Sequence, residues 1–216
     1  MTQGRWLDAA IPSDAAIPSD AGLPTRRNRT WVPIRRLASR HRGRVLEHLL
    51  ALDDTDRLLR FGHLASDERL RHYAEQLDFE RDELFGIFDR RLRLVAMAHL
   101  AFIAGEPPAA GITEFGVSVV KRQRGRGLGS QLFEHAVMHA RNRGMSKMLI
   151  HLARDNAAML GIVRRAGARI EFEGCDVLAQ LPLPADTLGS QIAELLGQQA
   201  AELDYRLKAR VLRLNG

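Results

Sequence analysis

The residues of this chain whose types and spacing could do chemistry lie between 113 and 130. Thr113-Glu114-Phe115-Gly116-Val117-Ser118-Val119-Val120 reads as a strand, and Lys121-Arg122-Gln123-Arg124-Gly125-Arg126-Gly127-Leu128-Gly129-Ser130 follows it directly. Glycines at 125, 127 and 129 remove side chains that would keep a ligand from the backbone. Successive N–H groups can then point into one concavity, to which a new helix adds its positive end. Such a cradle suits a pyrophosphate, and Arg124 and Arg126 place charge beside it. Upstream, strand alternation puts Glu114, Gly116 and Ser118 on one face and Phe115, Val117 and Val119 on the other. Glu114 reads either as a candidate general base or as a solvated strand-end carboxylate.

Three phosphate-binding designs compete for the loop. A P-loop ends in Gly-Lys-Ser/Thr, and no lysine stands in 128–130. A dinucleotide fingerprint needs a third glycine where this chain has Ser130. The remaining pattern, Arg/Gln-x-x-Gly-x-Gly/Ala, is met by Arg124-Gly125-Arg126-Gly127-Leu128-Gly129. Here the chain resembles the GNAT superfamily of acetyl-CoA-dependent N-acetyltransferases, whose motif A has that form after the fourth strand. The strand around Glu114 looks like that of bacterial GNAT-type protein lysine acetyltransferases.

The elements needed to position these residues are legible around them. Leu132, Phe133, Ala136, Val137 and Ala140 recur at helical spacing, predicting a helix over 128–143 that Gly144 stops. A strand at 147–152 follows, then Asn156 opens a helix ended by Gly167, the motif A to motif B order of that family. Upstream, 31–36 begins a first strand, and 39–52 and 66–77 have helical spacing with a break at Asp53-Asp54-Thr55-Asp56. Strands are expected at 83–88, 92–103 and 112–120, with a closing hairpin over 168–173 and 175–181. The resemblance covers 31–183 and implies a three-layer α/β fold: a central mixed, partly antiparallel sheet with helices on both faces.

Composition fits one such domain with two appendages. Of 216 residues, 45% are hydrophobic, enough for a real core. No apolar run approaches a membrane span, and the N-terminus lacks a signal peptide's apolar region. One cysteine, Cys175, precludes an intrachain disulfide, so a reducing cytoplasm is the expected location. The formal charge of +6 is carried mostly by arginine, and part of it is accounted for by the cluster at 122–126. Residues 1–30, which hold two copies of Ala-Ala-Ile-Pro-Ser-Asp, are expected to be a disordered tail. Residues 184–216 are expected to form a C-terminal helix, in which Leu196, Ala200, Leu203, Leu207 and Leu214 offer a stripe for a homodimer or for docking on the same chain.

The resemblance carries roles to particular positions. Arg124, Gly125, Arg126, Gly127, Gly129 and Ser130 match the pyrophosphate loop. Backbone at Val117 and Val119 would pair with pantetheine and polarise the acetyl carbonyl, and Asn156 would contact the pantetheine arm, a role compatible with an ordinary helix N-cap. Glu114 stands where the lysine acetyltransferases have their catalytic glutamate. An amine near the lysine reference of pKa 10.4 is roughly 0.1% neutral or less at neutral pH, so a base is useful. One departure is Val163, where many members have a tyrosine that protonates the leaving thiolate. His99 could line an acceptor pocket or be a bland surface or core histidine. His135 and His139 stand i, i+4 without an evident third ligand, so no metal is expected. Cys175 reads as a small core residue. Tyr73 lies on a helix where this family often builds its acceptor wall.

The expectation is therefore an acetyl-CoA:amine N-acetyltransferase working by direct attack in a ternary complex, without a membrane or nucleic-acid partner. The runner-up is a non-catalytic acyl-CoA-binding regulatory GNAT domain, favoured by Val163; a basic nucleic-acid-binding protein comes third. The acceptor, a small-molecule amine or a protein lysine, cannot be read from the sequence.

Overall fold

Seven strands form one open sheet in the order β1-β2-β3-β4-β5-β7-β6. They are β1 (Arg35–Arg36), β2 (Glu83–Phe88), β3 (Leu94–Phe102), β4 (Ile112–Val119), β5 (Lys147–Ala153), β6 (Arg169–Glu173) and β7 (Asp176–Pro182). Every neighbouring pair is antiparallel except β4 and β5, which run parallel in the middle of the sheet. The computed structural model describes residues 32–103 and 111–184, together with 200–202, 204–206, 208 and 209.

Helices cover both faces. On one lie α1 (Arg42–Leu50), α2 (Asp54–Phe61) and α3 (Asp67–Gln76); on the other lie α4 (Leu128–Asn142) and α5 (Ala157–Arg165). The two-residue alternation of the strands sorts apolar side chains between two cores. Phe85, Ala98, Leu100 and Phe115 face α4 and α5, meeting Leu132, Phe133, Ala136 and Val163. Phe115 and Phe133 cross edge to face at 5.3 Å, a favoured aromatic geometry. Leu84 and Met97 point the other way, onto Val45, Leu49 and Leu70. The expected three-layer α/β fold is what the chain forms.

Three local expectations differ from the structure. The acidic run 53–56 does follow a break after α1, but it also opens a further helix, α2, that was not expected. Asp53 caps α2 by accepting from the Asp56 N–H at 2.9 Å, and Asp54 and Asp56 sit in the first turn, where the helix dipole favours negative charge. Gly62, at φ +73°, ends the helix. Cys175 is exposed in the β6–β7 turn and is not a core residue, because it falls beside Gly174 at the hairpin tip. The first strand reduces to Arg35–Arg36.

The N-terminal tail and its repeat lie outside the described residues. At the other end, the described positions from 200 to 209 are helical and pack on their own domain. Ala201 is buried, Tyr205 meets Phe88 at 5.2 Å between ring centroids, and the Arg35 guanidinium lies 3.8 Å from the Tyr205 ring centre. Arg35 also bonds Glu202 at 2.8 Å. Leu196, Leu203, Leu207 and Leu214, which define the apolar stripe, lie outside the described residues. No helix among the described residues is long and apolar enough to cross a membrane.

Candidate functional site

The site grows from the one parallel pair. β4 and β5 are in register only from Ile112 to Glu114, opposite Lys147 to Leu149; beyond that they diverge. The Val120 N–H points to β3, bonding Val95 O at 3.0 Å, so by strand alternation the Val117 and Val119 backbone groups point toward β5. These groups line an opening where no strand partner reaches. Gly116, Val117, Ile150, Leu152, Asn156 and Arg60 surround the small crevice there, with about 20 Å³ of free volume. Asn156 caps α5 at its mouth, accepting from Met159 N–H at 3.0 Å, an arrangement worth about 1 kcal/mol.

At the carboxyl end of β4 the chain makes a 3-10 turn, Lys121–Gln123, and then enters the glycine loop. Gly125 at φ +72° and Gly127 at φ +76° are left-handed, which only glycine adopts freely. Gly127 is the N-cap of α4, so the first-turn N–H groups of Leu128, Gly129 and Ser130 have no acceptor within the helix. A Cβ at Gly125 would meet no protein atom within 4 Å and would project into open space. At Gly129 a Cβ would sit 3.9 Å from Val119 and Ile162, an ordinary contact, so alanine would fit there. The loop therefore needs glycine at 125 and 127 for backbone conformation, and not at 129 for space.

A groove of about 1070 Å³ opens beside the loop, lined by Gly125, Gly127, Arg126, Arg90, Arg91 and Lys208 among others. A positive helix end, left-handed glycines and this cationic wall fit a phosphate-bearing ligand. Arg124 is placed differently from Arg126. It pairs with buried Asp56 of α2 and donates from Nε to Val119 O at 3.3 Å, which ties α2 to the loop. Lys121 reaches Asp53 at 3.3 Å, a second tie between the same elements.

The opposite face of β4 carries the polar chemistry. Glu114 is exposed there, on the same side as Gly116 and Ser118. His99 stands across from Gly116 on β3. Its Nε2 lies 3.0 Å from Asp82 Oδ2, and its Nδ1 lies 2.7 Å from the Tyr73 hydroxyl. Burial alone would raise the Asp82 carboxyl, but hydrogen bonds from His99 and Arg81 outweigh it and hold the pKa at about 2. An ionised Asp82 can only accept, so His99 Nε2 carries the proton of that bond, which leaves Nδ1 of a neutral ring to accept from Tyr73. Burial pushes the Tyr73 phenol up. Tyr73 in turn accepts from Arg60 Nη2 at 3.2 Å. Asp82, His99, Tyr73 and Arg60 thus form one polarised chain running to the β4 surface.

Ser118 is engaged elsewhere. His48 Nδ1 lies 3.0 Å from Leu94 O, which can only accept, so Nε2 is unprotonated and accepts from Ser118 Oγ at 2.8 Å. Burial drives the His48 pKa down to about 4, which keeps the ring neutral at pH 7. Val163, where a tyrosine would stand in many relatives, is fully buried in the α5 core. His139 lies 3.4 Å from buried Glu83, which also pairs with Arg36 and Arg143 at the far end of β2. No group of three potential metal ligands converges among the described residues.

Val117 and Asn156 thus line the crevice of the splayed pair, Arg124 and Gly129 lie against Val119, and Gly125, Arg126 and Gly127 line the separate groove beside the β2–β3 turn, while Glu114 projects from the face of β4 that carries Gly116 and Ser118. Sequence reasoning missed Arg60, Asp82 and His48. Arg60 lies in α2, a helix that was not expected, and Asp82 carries no motif; the signals were His99, whose alternation marked the correct face, and Tyr73, which bonds both His99 and Arg60.

An open mixed sheet with one central parallel pair, splayed beside a glycine-turned helix start, defines the α/β class of GNAT folds. Residues 47–168 match the model of the Acetyltransferase (GNAT) family, and the chain belongs to that family. Over 60 residues it is 40% identical to an L-methionine sulfoximine/L-methionine sulfone acetyltransferase of Pseudomonas aeruginosa; the match covers 28% of this chain and 35% of that protein's length. The fold is shared with the GNAT domain of S. lividans PAT, at TM-score 0.59 and 21% identity over 69% of this chain and 89% of that one. It is also shared with PaiA N-acetyltransferase from Thermoplasma acidophilum in complex with coenzyme A, at TM-score 0.55 and 14% identity over 71% and 99%.

Proposed function

We propose that this protein is an N-acetyltransferase that moves the acetyl group of acetyl-CoA to a primary amine by direct attack in a ternary complex. The observation that carries this reading is the opening of β4 from β5 past Glu114, on the strand that leads directly into the left-handed glycines of the loop. When bound, the thioester supplies an already activated acetyl group. Around it, the N–H groups of the loop and of the first turn of α4 would hold the pyrophosphate, with Arg126 adding charge. The Val117 and Val119 backbone, facing the opening, would take the pantetheine arm and polarise the carbonyl. Asn156 would contribute its amide nitrogen, since its Oδ1 is occupied by the helix cap.

Glu114 is the residue we assign as base. It projects from the acceptor face, and no hydrogen bond or ion pair among the described residues engages it. It would remove a proton from the arriving ammonium, so that the nitrogen attacks as a neutral amine. Ser118 is excluded from that role by its bond to His48, and solvent would protonate the departing thiolate, which has a pKa comparable to the cysteine value of about 8.5. We place the enzyme in a reducing cytoplasm, a reading supported by its lone, exposed Cys175. The contacts of Ala201 and Tyr205 favour docking of the C-terminal helix on its own chain over the homodimer contact.

The test is an acetylation screen across amine classes, read by release of free CoA from acetyl-CoA. Turnover with at least one class is expected. Saturable acetyl-CoA binding with no turnover on amino acids, polyamines, aminoglycosides or lysine peptides would favour the non-catalytic reading.

A further inference from the structure

The Arg60 guanidinium rests on the β4 backbone at Gly116. A Cβ at 116 would lie 2.4 Å from Arg60 Cζ and Nη1, so the missing side chain is what admits it. Among the described residues its five N–H groups make one hydrogen bond, from Nη2 to Tyr73, and Nε is buried without a partner. No carboxylate among the described residues pairs with Arg60. Asp56 is taken by Arg124, Asp53 by Lys121, and Asp82 by Arg81 and His99. A partly buried guanidinium with an open fork and no counter-ion is poorly satisfied, and a carboxylate matches that fork bidentately.

Its location says which carboxylate. Arg60 borders the crevice together with Gly116, Val117 and Asn156, beside the proposed acyl position. Glu114 lies two residues earlier on the same strand face, about 7 Å away along the strand. That is about the span of an amine and a carboxylate on one carbon, with a hydrogen bond at each end. We propose that Arg60 binds a carboxylate carried by the acceptor, and that the acceptors are free α-amino acids. The proposal rests on the acetyltransferase reading above. Glu114 meets the amine and Arg60 the carboxylate, while Asp82, His99 and Tyr73 are positioning residues that aim the guanidinium. Polyamines would bring only positive charge against Arg60, a repulsion that disfavours them.

The experiment measures kcat/KM by CoA release at saturating acetyl-CoA, using matched sets of L-α-amino acid, its α-amide and its decarboxylated amine. Lysine peptides and a polyamine are included. The wild type is expected to prefer the free amino acid at least tenfold. In Arg60→Gln that preference should collapse toward parity, through KM for the amino acid, and Arg60→Lys should fall between. If Arg60→Gln does not fold, the wild-type preference and Arg60→Lys decide. Equal use of amide and amino acid by the wild type, turnover confined to peptides or polyamines, or a preference retained in Arg60→Gln would each overturn this proposal alone. Absence of turnover with every amine would overturn the acetyltransferase reading and this inference with it.

Discussion

The two faces of β4 are built by opposite means. The face toward α4 and α5 is apolar, with Phe115 buried against Phe133 and Leu132, and next to it the backbone edge toward β5 and the start of α4 are what a ligand would meet. The face toward α1, α2 and α3 is polar, with Glu114 exposed and a side-chain chain running from Asp82 through His99 and Tyr73 to Arg60. One side can hold a constant ligand through main-chain groups that substitutions other than proline leave in place. The other is composed of side chains, so its selectivity can change one residue at a time. A single strand can thus separate binding of the donor from handling of the acceptor.

The largest effect should come from breaking the polar face. Glu114→Gln keeps the shape and removes the base, so turnover should fall by roughly 10² to 10⁴, the usual range for general base catalysis. Raising the pH should partly rescue the variant, because more of the amine arrives neutral. A pH–rate profile of both proteins checks this; near-normal turnover at neutral pH in a folded variant would remove Glu114 from the role of base.

A smaller effect concerns stability on the same face. Folded His48 has a pKa of about 4, below the unfolded value of 6.5. The unfolded chain therefore binds the extra proton as pH falls through 6.5, and stability present above that pH is lost toward 4. The contribution is about 2 kcal/mol between pH 7 and pH 5. His41, also lowered to about 4 by burial and by Arg35, acts in the same direction. Urea denaturation across pH 5 to 7 should show stability rising with pH, with a flatter slope in His48→Gln. An identical slope in the variant would mean that His48 is not the neutral buried ring inferred from its two hydrogen bonds.

The same contrast explains what could be read from the sequence. The donor side is contiguous: strand, loop and helix run from 112 to 142, so glycine spacing and helical periodicity announce it, and Asn156 follows as a cap within the next element. The acceptor side is gathered from positions 60, 73, 82, 99 and 114, which only the β3–β4 register and the packing of α2 bring together. Local reasoning does not reveal α2, because acids that follow a chain break also serve as the cap and dipole partners of a new helix. Cys175 was misplaced for a related reason: a small apolar residue between two strands is ambiguous until the turn at Gly174 is known.

Calorimetric titration of acetyl-CoA into wild type, Gly127→Glu and Glu114→Gln tests the division between the faces most directly. Gly127→Asn serves as a control, because asparagine tolerates the left-handed conformation without adding charge. Gly127→Glu should bind at least tenfold more weakly, about 1.4 kcal/mol, while Glu114→Gln should stay within about twofold of wild type. Wild-type affinity in Gly127→Glu, or an equal loss in Glu114→Gln, would contradict the assignment of donor and acceptor to opposite faces of β4.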